Sequence, residues 1–274
     1  MKQILVPTDF SDYAENALKA AASIARKNNC EVFLLHLLEL PHQMNDAVTE
    51  GHSIPELMLF VRKANEKLQE IKEQPYLKGI SVHESIQFDK AFKGILAFIK
   101  KNEIDLIVMG SHGHSGLDET LIGSTTEKIV KLSEIPVLVI KKDILNFTLD
   151  NFVFASDFTT ETEKPFKKMI EFAKLFNAHL HLLMISTPNS FKTTADADAI
   201  MKKITNSFEI EKYTTHLYND TNIENGIINF SNNINADLIG LCTHGRTRFA
   251  QFFKGSVSND FVNHTIKPVI TFKI

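Results

Sequence analysis

Residues 109 to 126 read MGSHGHSGLDETLIGSTT and hold four of the chain's 11 glycines, Gly110, Gly113, Gly116 and Gly123, directly after the apolar run from Ile104 to Met109. Glycine opens positive φ to the backbone and lets another group approach the main chain closely. On that ground Gly110 and Gly113 are expected to take positive φ and turn their N–H groups toward an anion. The segment closes with Gly123, Ser124 and Thr125, which open a helix, so free N–H groups and two hydroxyls meet the positive end of the helix dipole. The chemistry on offer is phosphate binding. The bland alternative is a tight turn followed by a helix cap. Neither G-x4-G-K-[ST] nor G-x-G-x-x-G occurs in the loop, so it is not a P-loop or a dinucleotide fingerprint.

Other reactive side chains carry less. His112 and His114 form an H-x-H, and His244 recurs opposite His112. A metal needs three or four converging ligands, which this spacing does not supply, so no metal site is expected and these histidines read as loop-shaping or exposed. His36 and His181 fall within strands and read as core or edge residues with a hydrogen-bond partner. Ser124 and Ser256 lack the G-x-S-x-G context of a nucleophile elbow, and no catalytic residue is assigned. Cys30 and Cys242 form no CxxC and read as free thiols.

The elements that must position the loop occur twice. ILVPTDFS from Ile4 aligns with FVFASDFT from Phe152 at an offset of 148, which places Asp9 on Asp157 and Leu37 on Ile185. Farther on, DLIVMGSHG from Asp105 aligns with DLIGLCTHG from Asp237 at an offset of 132, so the second copy is 16 residues shorter in its middle. Each copy alternates short β-rich runs with segments of helical period, the pattern of α/β units wound around a parallel sheet. In the first copy strands are expected at 2–7, 31–38, 79–87, 104–109 and 137–141, with helices at 12–27, 54–73, 90–102 and 124–133. In the second, strands fall at 151–156, 179–186, 210–217, 237–242 and 268–273, with helices at 161–176, 195–206, 222–234 and 256–264. Ser11 or Asp12 is expected to cap the first helix, and Thr160 with Glu163 to form a capping box on its counterpart. Pro136 and Pro268 suit the first residue of a strand. The domains are read as 1–144 and 149–274. Nothing between them resembles a flexible tether, so they are expected to pack as a fixed pair.

Composition bounds the function. With 43% hydrophobic and 23% charged residues the chain has apolar material for two cores, and a formal net charge of −3 argues against a nucleic-acid surface. The N-terminal apolar run stops at Pro7, and no stretch reaches the ~18 apolar residues of a membrane span. The expectation is a cytoplasmic protein with neither nucleic acid nor membrane as partner. The helix around PELMLFVRKANEKLQEIKEQ is amphipathic and reads as a surface helix, and PHQMNDAVTEGHSI before it is a candidate lid.

The spacing Gly110-x2-Gly113-x9-Gly123-Ser124 after a strand, with Asp9 just beyond the first strand, resembles the nucleotide-binding motif of the universal stress protein (UspA-like) family. The resemblance covers the chain twice and extends to PTDFS, LLHLLE and IPVLVI. It implies an open parallel five-stranded α/β sheet of order 3-2-1-4-5 in each domain, with helices on both faces. It also implies ATP as ligand, with magnesium as a possible companion. Carried over by position, Thr8, Asp9, Leu37, Met109 and Gly110 would line the adenosine pocket, and Gly113, Gly123, Ser124 and Thr125 would hold the phosphates. A second site would use Asp157, Ile185, Gly245, Gly255, Ser256 and Val257. Cys242 replaces the first glycine there, and Arg246, Arg248, Phe249, Phe252, Phe253 and Lys254 make its loop bulkier and more basic.

The resemblance further implies that the last strands, 137–141 and 268–273, join the copies as an internal pseudo-dimer, with a homodimer of chains a further step. No general base or arginine finger is evident, so the expectation is a nucleotide-dependent regulator with little or no hydrolysis. Two alternatives stand: a scaffold or other small-ligand binder with a vestigial pocket, above all in the second domain, and a nucleotidyl-transferring enzyme, whose signature motifs are missing.

Overall fold

The structure, a computed structural model, describes residues 1–39, 54–113, 122–144, 146–243 and 267–274. The first copy runs β1 (Gln3–Thr8), α1 (Asp12–Asn28), β2 (Glu31–Leu38), α2 (Ile54–Lys72), β3 (Val82–Phe88), α3 (Ala91–Lys101), β4 (Leu106–Gly110), α4 (Ser124–Leu132) and β5 (Val137–Ile140). The second runs β6 (Asn151–Ala155), α5 (Glu163–Phe176), β7 (His179–Ser186), α6 (Thr194–Thr205), β8 (Tyr213–Asn219), α7 (Ile223–Asn233), β9 (Leu238–Thr243) and β10 (Val269–Lys273). The helix expected at 256–264 and the candidate lid lie outside the described residues.

Each copy has the strand order 3-2-1-4-5, and the two are not separate sheets. β5 pairs antiparallel with β10, Val139 opposite Val269, and fuses the halves into one ten-stranded sheet ordered β3-β2-β1-β4-β5-β10-β9-β6-β7-β8. All other pairings are parallel. Two apolar layers cover its faces. One joins α1 to α5 and includes Leu138, Ile140, Ile270 and Phe272 from the seam, and the other joins α3, α4 and α7. The connection between the copies packs down as well: Phe147 and Leu149 are buried, and the Phe147 N–H donates to Ser23 Oγ on α1 at 3.0 Å.

The two first helices reach the sheet differently. α1 buries Ala14, Ala17, Ala20, Ala21, Ala22 and Ala25, small side chains that let it lie close. α5 buries Phe166, Met169, Phe172 and Phe176, and phenyl rings hold a helix farther from the strands. Both helices end on an asparagine in the left-handed region, Asn29 (φ 52°) and Asn177 (φ 57°).

Several boundaries move. Ser11, not Asp12, caps α1, its Oγ accepting from the Ala14 N–H at 3.3 Å. The helix starts later than a capping box at Thr160 and Glu163 requires. Residues Thr160–Thr162 make a 3-10 turn, α5 starts at Glu163, and the Thr162 hydroxyl donates instead to the Thr159 carbonyl at 2.6 Å. Pro136 and Pro268 stand just before their strands, where their carbonyls accept from Ile107 and Ile239. β3 begins later than expected because a 3-10 turn at Pro75–Leu77 and Gly79 at φ 81° take up the preceding residues.

Candidate functional site

The carboxyl ends of β1, β2 and β4 lie side by side, as ligand sites in open α/β sheets require. At the end of β1 the chain makes a strained turn. Phe10 has φ 66°, a left-handed conformation that costs a bulky residue roughly 1–2 kcal/mol. Thr8 Oγ1 accepts from the Phe10 N–H at 3.1 Å, and Asp9 Oδ1 accepts from the Ser11 N–H at 3.1 Å and the Ser11 hydroxyl at 2.6 Å. The Phe10 ring lies between the His36 ring at 4.3 Å and the Lys67 ammonium at 5.0 Å. His36 Nδ1 also contacts the Thr8 carbonyl at 2.8 Å, and burial, above all, holds its pKa below the ordinary value.

The second copy repeats this turn. Phe158 has φ 52°, its N–H donates to Ser156 Oγ at 3.0 Å, and the Thr159 hydroxyl donates to Asp157 Oδ1 at 3.3 Å. The strain was not anticipated from sequence. Its only signal was the recurrence of Asp-Phe after both first strands.

The glycines act otherwise than expected. Among the described glycines only Gly79 has positive φ, so neither Gly110 nor Gly113 is there for a left-handed backbone. A Cβ on Gly110 would sit 2.7 Å from the Tyr13 main chain, so this glycine exists to let the first turn of α1 lie against the end of β4. A Cβ on Gly113 would meet Asp9 Oδ2 at 2.6 Å, which shows how closely the Asp9 carboxylate approaches the loop.

Gly123 differs from both. A Cβ there would find only ordinary contacts, His112 Cα and the Ser111 carbonyl at 3.5 Å, and its φ of −57° suits any residue. Among the described residues, nothing in the packing demands glycine at that position. Gly123 opens α4, whose N-terminus has no side-chain cap, with Ser124 exposed and Thr125 partly so. Thr126, not foreseen, is buried and donates to the Gly110 carbonyl at 2.9 Å, which fixes α4 to the end of β4. His112 is buried with its ring 5.1 Å from that of Tyr13, and Ser111 Oγ lies 2.9 Å from its Nδ1.

Leu37 and Met109 lie on the face covered by α3 and α4. Leu37 packs against Gly94 on α3, and Ile185 packs in the same way against Gly226 on α7. Both helix glycines were missed in the sequence; each lets a helix start close to a strand end.

The second copy moves its glycine. Where the first has Val108 and Gly110, the second has Gly240 and Cys242. A Cβ on Gly240 would lie 2.8 Å from the Phe152 ring and 3.0 Å from that of Phe154, so this glycine makes room for aromatic side chains under α5. With α5 standing off and its first turn replaced by the 3-10 turn, position 242 accepts a side chain. Burial pushes the Cys242 thiol up to about 12. Asp157, Ile185, Leu241 and Cys242 line a cavity of about 440 Å³ beyond the ends of β6, β7 and β9. His114 and His244 lie outside the described residues, as do Gly245, Gly255, Ser256, Val257 and the basic and aromatic residues 246–254. Among the described residues no group of three or more His, Cys, Asp or Glu is placed to hold a metal ion, and no helix is long and apolar enough to cross a membrane.

Two five-stranded 3-2-1-4-5 units, each with an Asp-Phe turn at the end of its first strand, define a tandem Rossmann-like α/β protein. The chain belongs to the universal stress protein family, whose model matches residues 1–141 and again 148–273. It is 33% identical to universal stress protein MJ0531 of Methanocaldococcus jannaschii over 142 residues, 52% of this chain and 82% of the relative. It is also 23% identical to universal stress protein Slr1230 of Synechocystis, with 100% of both chains covered. A universal stress protein structure from Archaeoglobus fulgidus superposes with a TM-score of 0.74 at 22% identity, over 99% of this chain and 96% of that one, and shares its fold.

Proposed function

We propose that the first domain binds ATP, with magnesium as a companion of its phosphates, and that occupancy rather than turnover is its function. The observation that carries this reading is Gly123, a glycine at a helix start with no side-chain cap that neither backbone conformation nor, among the described residues, internal packing requires. A ligand drawn close to the α4 N-terminus supplies the missing reason. Gly113, Gly123, Ser124 and Thr125 would hold the phosphates. Thr8, Asp9, Leu37, Met109 and Gly110 would surround the nucleoside, where the oriented Asp9 carboxylate accepts hydrogen bonds from sugar hydroxyls or faces the metal. Among the described residues the site's polar groups are main-chain N–H groups, hydroxyls and the Asp9 carboxylate, which Ser11 engages. Such a set binds and orients without activating water, so we read the protein as a nucleotide-dependent regulator in the stress response.

Calorimetric titration of ATP and magnesium into nucleotide-free protein tests this, run beside Gly123→Val. A Cβ there meets only ordinary contacts among the described residues, so the variant should fold and lose saturable binding, while the wild type binds one ATP per chain. Two per chain would place nucleotide in the second domain as well. No binding by the wild type would overturn the reading. For the second domain a different reading is favoured, because Cys242 and the unwound start of α5 change the geometry that Gly110 and Tyr13 define in the first.

A further inference from the structure

The 440 Å³ cavity of the second domain is of a size used for small molecules, and its described lining is largely apolar. Leu183, Ile185, Ile227 and Leu241 give it apolar walls, and Cys242 adds a sulfur where the first copy presents bare backbone. Lys192 lines it too, and with Asp157 also lines a neighbouring cavity of about 480 Å³. Lys192 is half-buried, and among the described residues its ammonium makes no ion pair or hydrogen bond. The segment that carries it is tied down: the Lys192 N–H donates to Ser186 Oγ at 3.3 Å, and Thr187 Oγ1 lies 2.9 Å from Ser190 Oγ.

A cation on the lining of a largely apolar cavity selects an anion with an apolar body. We propose that the second domain binds a small organic carboxylate with an apolar body, its charge on Lys192. The two domains then answer to different ligands, and this site does not depend on the first domain's taking ATP.

The chain contains no tryptophan, and Ile223 lines the cavity while remaining 48% exposed, so Ile223→Trp places a single reporter at the mouth with little cost to folding. Decanoate titrated into this full-length variant should change its fluorescence saturably. Adding Lys192→Met, which keeps the alkyl stem and removes the charge, should weaken binding about tenfold or more, the loss expected for a charge-assisted contact. The same ratio should appear by calorimetry without the tryptophan, with wild type against Lys192→Met, which covers the case in which Trp itself obstructs entry. Excess ATP should leave decanoate binding unchanged. The proposal fails if decanoate binds equally well without Lys192, as it would on the exposed Met58 and Phe60 of α2. It also fails if wild-type protein does not bind decanoate, or if ATP displaces decanoate one for one.

Discussion

At the scale of single residues, the described glycines include ones that packing demands and Gly123, which no described contact demands. Gly110 belongs to the first kind, because the Tyr13 main chain occupies the space a Cβ would take. Gly110→Ala should therefore destabilise the folded chain by about 1–3 kcal/mol, as overpacking against backbone does, and urea unfolding will show it. Gly123→Val should cost less in the same experiment, about 0.5–1 kcal/mol, the loss of a favoured N-cap residue. Equal costs at the two positions would remove the argument that Gly123 is kept for a ligand. The motif spacing was legible in the sequence, whereas the reason for each glycine was not. Gly110 serves a helix that crosses it from residue 13, and no local pattern encodes that crossing.

At the scale of elements, β7 and β8 gather three imidazoles around one hydroxyl. Thr214 Oγ1 lies 3.2 Å from His179 Nε2, 3.2 Å from His181 Nδ1 and 2.8 Å from His216 Nε2, and His181 Nδ1 is 3.2 Å from His216 Nε2. Asn151 Oδ1 on β6 faces His181 Nε2 at 3.2 Å, and from α7 the Phe230 ring packs against His216 at 4.7 Å. Burial, then His179 and His216, lower His181 from 6.5 to about 4, and burial with His179 lowers His216 as well. Because the folded state holds these groups below their unfolded pKa, the unfolded chain binds more protons between about pH 4 and 6.5. Stability is therefore level above that window and declines as pH falls through it. A thermal melting series should show this decline, and His181→Gln, which cannot titrate, should flatten it; parallel curves for the two proteins would refute the assignment. Sequence alone placed His181 in a strand, but the cluster arises from strand register, which sets His181 opposite Thr214.

At the scale of the whole molecule, the seam decides whether the copies act as two bodies or one. β5 and β10 share a ladder, and Leu138, Ile140, Ile270 and Phe272 lie in an apolar layer that continues through both halves. Lys168 of α5 also reaches across to donate to the Glu134 carbonyl at 2.9 Å. The chain should then unfold in urea as one transition, coincident for secondary structure and for hydrodynamic size. Leu138→Ala at the seam should shift that single transition by about 2–5 kcal/mol rather than split it. Two separated transitions in the wild type would mean that the halves fold independently and the seam adds little.

The sequence by itself determined the repeat, the α/β alternation, the strand order through its likeness to a family, and the spacing of the candidate site. Those properties reside in period, offset and motif, which are local or compare one stretch of chain with another. Only the tertiary structure decided why the site differs between the copies. An alanine-rich helix lies close to its sheet and leaves room only for Gly110, whereas a phenylalanine-rich helix stands off, needs Gly240 beneath its rings, and leaves space for Cys242. The distance between a helix and a sheet is set by the volumes of side chains far apart in sequence. That is why the departure from the motif could be read as one substitution, and its cause could not.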